Sequence, residues 1–566
     1  MTPQDPASQA AARAEAFLER AADFKLGSLL TERPHDATIG LAEAAQRDPA
    51  AGVAMIQRVD RDLPPVMEAA LRGEAFARLE SAVRVTLDRG GRVFFTGCGA
   101  TGRLAILLEA LWRKACRDAA AVDHEDRVLS VMAGGDFALI KSVEGFEDHE
   151  AFGRRQIEAH GLTDADTVVA VTEGGETTFV IGTAWAGVDA GAATFFVYNN
   201  PDDLLRPVAR SRKVIDDERI TKLNLCTGSM AVAGSTRMQA TTIQLAVLGA
   251  AMERVFESAA LGRAATAVER HAERLLAVID ALASEASVSA LGALANREAE
   301  LYRSGGRVLY FADRLLLDIL TDTTERSPTF SLPPFRERGR PDAARSWSFV
   351  KDPFHDTAEA WRRMLGRPIR GLSWTRADYR DMNAPEDVTN DPPALTAATV
   401  EGFEIGREGE AEDPAAFDLR VSLLSPGEGD LARCSVDLAV RIGRDAPPAE
   451  GAGEALDLDP PLDRTPFDLP LHLAAKLALN TLSTASMAIL GRLTSNWMVH
   501  VRCSNLKLID RGIRLLIDQA GLDYETACRR LFESIVELEH APPEQAAESP
   551  VALTLRRLQA ESDDTP

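Results

Sequence analysis

Three short loops of this chain pair glycine with hydroxyl side chains, the combination that anion binding calls for. The first is Thr96-Gly97-Cys98-Gly99-Ala100-Thr101-Gly102-Arg103. It follows the apolar run Val93–Thr96 and precedes Leu104, Ile106, Leu107, Leu108 and Leu111. That order predicts a buried strand, a tight turn and a helix. Such a turn aims backbone N–H groups and the positive end of a helix at one point, which suits a phosphate. Thr101 adds a hydroxyl and Arg103 a positive charge. The Gly97-x-Gly99-x-x-Gly102 spacing also satisfies the dinucleotide fingerprint, which wants an acid about 20 residues on, at the end of the second strand. Here the second strand, Val128–Met132, runs into Ala133-Gly134-Gly135-Asp136, late for that role. Alone, the loop is open to sugar phosphate, nucleotide or a purely structural turn. Two more loops join it: Thr172-Glu173-Gly174-Gly175-Glu176-Thr177-Thr178 and Gly234-Ser235-Thr236-Arg237-Met238. Serine and threonine at a helix start are N-caps by default. Three such loops at the strand ends of one sheet favour a phosphosugar pocket over any one of them alone.

The elements that must position these loops alternate strand and helix. Helical patterning runs from Ile39 to Leu87 after a polar lead-in with one amphipathic helix. Strands are expected at Val93–Thr96, Val128–Met132, Thr167–Val171, Thr194–Tyr198 and Lys222–Leu225, with a long helix from Arg237 to Phe256. This predicts an α/β fold with a mostly parallel sheet, helices on both faces and ligands beyond the carboxyl ends of the strands. A second βα segment follows a helix at Val288–Arg303 and opens with the strand Arg307–Phe311. Its next turn, Ala312-Asp313-Arg314-Leu315-Leu316, has no glycine and cannot form the same nest. Strand-like runs recur at Ser348–Val350 and Gly371–Trp374, and later strands are expected at Val400–Ile405, Leu419–Leu424 and Val436–Ile442. Pro447–Pro461 reads as a linker. After Pro470 the chain reads as helical: His472–Arg492, Asn496–Val501, Asn505–Ala520, Tyr524–Leu538 and Val551–Leu558.

Composition sets the bounds. The 566 residues leave room for three or four domains. A net charge of −23 argues against nucleic acid or an anionic membrane as main partner. The six cysteines and nine histidines are scattered without metal-ligand spacing, so no metal is expected. Neither a membrane-length apolar run nor a signal-peptide core is present, and a cytoplasmic location is the expectation. Cys98 reads as a small residue filling the turn, and Trp347, Phe349 and Trp361 as core.

The ordered motifs G-C-G-A-T-G-R, V-E-G-F-E-D, G-S-T-R-M and N-x-K-L-x-x-R resemble the SIS (sugar isomerase) domain proteins. Within them the chain is similar to the branch of N-acetylmuramic acid 6-phosphate etherase and glucokinase regulatory protein. Leu30-Thr31-Glu32-Arg33 and Lys476-Leu477-Ala478-Leu479-Asn480-Thr481-Leu482-Ser483-Thr484 also fit. The etherase is a homodimer of single SIS domains, and the regulatory protein carries two plus a helical cap. The resemblance implies the second plan: a helical lead-in at 1–56, SIS domains at 57–262 and 283–460 forming an intramolecular pseudo-dimer, and an all-helical cap at 465–566.

Carried over position by position, the resemblance implies sugar-phosphate contacts at Gly99, Thr101, Gly102, Thr172, Gly174, Ser235 and Lys507. Thr101 stands where serine is usual. Glu176 stands where a hydroxyl or basic residue is frequent, and Gln239 where lysine is usual. The etherase reaction removes a proton beside a latent aldehyde and protonates the departing ether oxygen. Paired carboxylates can do both when their environments separate their pKa values. One family glutamate matches Glu144. The other aligns with Leu111 in the first half, but with Glu325 in the Asp322–Phe330 stretch of the second. Position 111 lies about 15 Å along the helix from Thr101, too far for its own pocket but within reach of a facing domain. One composite site is therefore expected, with phosphate binding and Glu144 from the first half and Glu325 from the second. Its mirror image should be dead. The plainer alternatives are a Glu325 held by Arg326 or solvated, a Glu144 that only hydrogen-bonds sugar hydroxyls, and a solvated Lys507.

These expectations frame a cofactor-free lyase of the etherase type acting on a phosphorylated sugar. The alternatives are a non-catalytic phosphosugar sensor docking on a sugar kinase, or an aldose–ketose isomerase. With both halves in one chain, a monomer would suffice.

Overall fold

The computed structural model describes residues 5–20, 26–143, 145–501, 503, 506–541 and 548–563. The first half builds a sheet from β1 (Val93–Gly97), β2 (Val128–Met132), β3 (Thr167–Val171), β4 (Ala193–Tyr198) and β5 (Ile220–Asn224). The second half builds another from β6 (Val308–Phe311), β7 (Ser348–Lys351), β8 (Leu419–Leu424), β9 (Val436–Ile442) and β10 (Ala452–Leu458). Both sheets are wholly parallel and share one order, β2-β1-β3-β4-β5 and β7-β6-β8-β9-β10. Even the register repeats: Val93 pairs with Val128 and Thr167, as Val308 pairs with Ser348 and Leu419. All five β1 residues are buried, because helices cover both faces and leave no polar side to alternate with. The chain reverses direction across each sheet between its first and third strands, where a doubly wound fold opens its ligand crevice.

Several expectations fail in the second half. Val400–Ile405 is not a strand. It forms the end of the helix Ala397–Glu401 and a buried coil whose Phe403 carbonyl accepts from Trp361 Nε1 at 3.2 Å. A short apolar run bounded by turns looks the same in either state. Gly371–Trp374 makes only the isolated bridge of Leu372 with Leu395. The Pro447–Pro461 stretch contains β10, an edge strand whose Glu454 and Asp457 face solvent and give it a linker's composition. Asn496–Val501 is not helical either: β11 (Leu493–Thr494) and β12 (Trp497–Met498) form a small antiparallel hairpin turning at Ser495, φ 50°.

The Leu469–Ile489 helix has its side chains buried all round apart from Lys476. It packs on the Gln239–Ala259 helix of the first half, on Leu316–Phe330 of the second, and on Pro49–Asp60 near the N-terminus. A helix apolar on every face belongs in an interior. The Pro6–Arg20 helix joins the C-terminal helices, with Ala14 and Phe17 packed among Cys528, Leu531 and Phe532. Among the described residues no single helix is long and apolar enough to cross a membrane.

A buried charge cluster ties the halves together. Glu109, fully buried, accepts from Arg370 at 2.7 and 2.8 Å, from Arg367 at 3.1 Å and from Ser130 Oγ at 2.6 Å. Burial pushes its carboxyl up, but Arg367 and Arg370 more than offset this and bring it down to about 2. A depressed carboxyl stabilises fully above its unfolded value of 4.5 and progressively less as pH falls toward 2. The thermal midpoint should therefore drop steeply between pH 4.5 and 2. Glu109→Gln should lower the neutral-pH stability by on the order of 3 kcal/mol and flatten that acid limb in a pH series of melts.

Candidate active site between the two lobes

A cavity of about 350 Å³ opens at the carboxyl ends of β1 and β3. Its first wall is the turn Cys98, Gly99 and Ala100, at the start of the Ala100–Asp118 helix. Gly99 holds φ 55°, a left-handed value that favours glycine, and nothing would crowd a Cβ there. The turn therefore exposes backbone to the cavity. Ser235, Thr236 and Arg237 form the second wall, and Glu147 and Glu173 stand on the same side of the first lobe. The second lobe contributes Glu325, Ser327, Pro328 and Thr329, and the C-terminal helix Leu506–Ala520 contributes Lys507 and Arg511.

Of the residues expected at a site, Gly99, Ser235, Lys507 and Glu325 converge on this cavity. Thr101, Gly102, Thr172 and Gly174 are not among its lining residues and instead shape the loops. Thr101 Oγ1 donates to the Cys98 carbonyl at 2.9 Å and accepts from the Cys98 amide at 3.0 Å. A Cβ on Gly102 would lie 2.5 Å from Met132 Cγ, so the helix can seat against β2 only with glycine there. Thr172 Oγ1 accepts from the Gly175 amide at 3.2 Å and shares a hydrogen bond with Thr177. The Gly174 carbonyl accepts from Asn200 at 2.9 Å. Glu144 lies outside the described residues.

Glu325 is 4 % exposed, and its Oε2 has no hydrogen-bond partner. Its nearest cation is Arg103 of the first lobe, at 4.0 Å from Oε1. Arg103 also donates to Thr324 Oγ1 and to the Leu139 carbonyl, so it spans the seam between lobes. A carboxylate with an unused buried oxygen beside a ligand-sized cavity is a candidate proton carrier.

Glu176 clamps two cations beside the cavity. It accepts from Lys507 Nζ at 2.8 Å and from Arg210 Nη2 at 2.8 Å. Burial raises its carboxyl, yet Lys507 and Arg210 carry it down to about 2. In turn, burial pulls the Lys507 ammonium down, but Glu176, Glu32 and Glu147 outweigh this and hold it above its ordinary value. Lys507 is a fixed cation at the cavity wall. Arg511, one helical turn on, is gripped by Glu32 at 2.9 and 3.1 Å and lies across Gly234, where a Cβ would sit 2.5 Å from its Nε. Lys507→Ala should weaken inorganic phosphate or sugar phosphate binding about 10- to 100-fold, the value of a charge-assisted contact, in a titration of the full chain. Glu176→Gln should weaken it less, by freeing the ammonium without removing it.

The residues that sequence reasoning passed over are Glu147, Glu173 and Arg511. Arg511 was findable, because residues four apart on a helix share a face with Lys507. Glu147 lies in the same V-E-G-F-E-D motif as Glu144, and Glu173 in the loop already singled out. Burial holds the Glu173 carboxyl up at about 7; its own amide and Lys507 oppose this, while Glu325 and Glu147 add to it. Burial likewise raises Glu147, against the pull of Lys507.

Two parallel sheets of one topology, with a ligand-sized crevice where the lobes meet, define a tandem SIS-type protein, and residues 76–186 match the family model of the glucokinase regulatory protein N-terminal SIS domain. N-acetylmuramic acid 6-phosphate etherase 1 of Bacillus licheniformis is 31 % identical over 226 residues, covering 39 % of this chain and 67 % of that one. The corresponding etherase of Serratia proteamaculans is 32 % identical over 225 residues, covering 40 % and 69 %. The chain belongs to the N-acetylmuramic acid 6-phosphate etherase family. Among solved structures, tagatose-6-phosphate ketose/aldose isomerase from Escherichia coli aligns over 83 % of this chain and 99 % of that one, with 12 % identity and a TM-score of 0.43.

Proposed function

We propose that this protein binds a 6-phosphosugar and cleaves an ether on it by elimination, as a cofactor-free carbon–oxygen lyase on a substrate like N-acetylmuramic acid 6-phosphate. The observation that carries the reading is the placement of Glu325. It comes from the second lobe, yet it faces the cavity whose glycine turn and Ser235 belong to the first. The phosphoryl group would lie against the Gly99 turn, Ser235 and the Lys507–Arg511 helix face, where amides, a hydroxyl and cations converge. Glu325 and a carboxylate of the Val143–Asp148 turn would divide the proton transfers. Glu147 lines the cavity from that turn, and the role of Glu144 rests on the family motif. One group takes the proton beside the carbonyl, and the other gives a proton to the ether oxygen as it leaves. The test is lactate release from N-acetylmuramic acid 6-phosphate by the purified full chain; no release from this sugar overturns the reading.

The match of residues 76–186 to the regulatory protein's SIS domain, in a chain with two fused lobes, favours a second reading: a phosphosugar sensor that docks on a sugar kinase. Tight sugar phosphate binding without turnover of any phosphosugar would select it.

A further inference from the structure

Three carboxylates, Glu147, Glu173 and Glu325, line the cavity, and two of them fit the proton transfers of the reaction proposed above. Glu173 is the surplus one. It is 9 % exposed, and among the described residues no arginine or lysine lies within salt-bridge distance of it. Its own backbone amide only partly offsets the effect of burial on it. The deep cations of the cavity are all engaged elsewhere. Arg237 pairs with Asp322 at 3.1 Å, Arg511 with Glu32, Lys507 with Glu176, and Arg103 stands beside Glu325. A phosphoryl dianion can draw on the Lys507–Arg511 wall and the turn amides. Lys476 is not among the lining residues and donates to the Arg237 carbonyl at 2.8 Å. A second anion on the same sugar would therefore find every deep cation lining the cavity already engaged, and would meet Glu173.

N-acetylmuramic acid 6-phosphate carries such a second anion, the carboxylate of its lactyl ether. We infer that Glu173, in its protonated form, donates a hydrogen bond to a carboxylate on the bound sugar phosphate, so that an acidic sugar phosphate enters the cavity together with one proton. This rests on the etherase reading and adds the specificity element it lacks. Two carboxylates close together in a buried site share a proton rather than both ionise. The groups facing Glu173 are Lys507, Glu147, Glu325, Lys476 of the central helix and Cys98 of the first turn. Lys507 is held charged, and burial raises the Cys98 thiol well above its ordinary range. The free Glu173 carboxyl sits at about 7. A ligand carboxylate beside it raises it further, so binding takes up a proton above pH 7 and weakens as pH climbs.

The test uses ligands that the wild-type chain cannot cleave. Borohydride-reduced N-acetylmuramic acid 6-phosphate keeps its lactyl carboxylate but has no carbonyl to acidify the neighbouring proton. Reduced N-acetylglucosamine 6-phosphate is its partner without the carboxylate. Calorimetry in buffers of different ionisation enthalpy should show uptake of about one proton with the acidic ligand, and an affinity falling about tenfold per pH unit from pH 7 toward 9. The neutral partner should show neither, because its phosphate is already ionised there. Glu173→Gln, whose amide still donates, should bind both ligands with no pH slope. Wild-type lactate release combined with proton-free binding of the reduced acid would overturn this inference alone. Failure of both reduced sugars to bind, together with no lactate release from the unreduced sugar, would bring down the etherase reading with it.

Discussion

Glu325→Gln should lower lactate release from N-acetylmuramic acid 6-phosphate by about a thousandfold, while the sugar phosphate should still bind within a few-fold of wild type. General acid–base groups contribute about 10²- to 10⁴-fold, and glutamine keeps the shape of glutamate while removing the titrating proton. Binding should survive because the proposed phosphoryl contacts, at the cavity-lining Gly99, Ser235, Lys507 and Arg511, come from the other lobe and the C-terminal helix. The change also removes the nearest carboxylate from Arg103, which leaves that guanidinium freer to meet an anion. Any shift in affinity should therefore be toward tighter binding. Single-turnover release and a separate binding titration read the two effects apart. A glutamine variant that releases lactate at the wild-type rate would remove Glu325 from the chemistry and shift the burden to Glu147 and Glu173.

The second large effect is on stability. Arg326→Met should destabilise the chain by about 3–5 kcal/mol, because Arg326 is the hub of a fully buried ion network. It binds Asp322 at 2.8 Å and Glu298 at 3.2 Å, and it is 1 % exposed. Asp322 also holds Arg237 of the Gly234–Met238 loop, and Ser483 and Ser486 of the central helix donate to Asp322 and Glu298. Removing the arginine leaves Asp322 with Arg237, but leaves Glu298 with hydroxyl partners only, a buried charge without its cation. Arg326→Met combined with Glu298→Gln should recover part of the loss, giving a coupling above about 1 kcal/mol in a double-mutant cycle of urea unfolding. Additive losses would show that the two groups do not share one network.

Much of the first lobe was legible because local signals agree there. Each strand was placed within about two residues: fully buried parallel strands are plain apolar runs, and glycine turns punctuate them. The second lobe was harder. The strand Ala452–Leu458 lies at an exposed edge and carries the acidic composition of a linker. Val400–Ile405 is apolar because it covers Trp361, not because it pairs with a strand. At the site, the sequence motifs led to Gly99, Ser235, Lys507 and Glu325, but could not show that the Thr101 and Thr172 hydroxyls turn inward to hold their own loops. Nor could they show that Glu176 serves Lys507 across 331 residues of chain.

What the chain's sequence determined by itself is local: strand–turn–helix units, a glycine nest able to receive an anion, and a helix carrying Lys507. These follow from periodicity, turn chemistry and residue type, which act over a few residues. Only the tertiary structure decided which charges meet. It set Glu325 against Arg103 across the seam, paired Arg237, Lys507 and Arg511 with other carboxylates, and left Glu173 lining the cavity without a salt-bridge partner. Charge pairing and burial depend on distance in space, and residues hundreds of positions apart come within a few ångströms only when the lobes and the central helix pack.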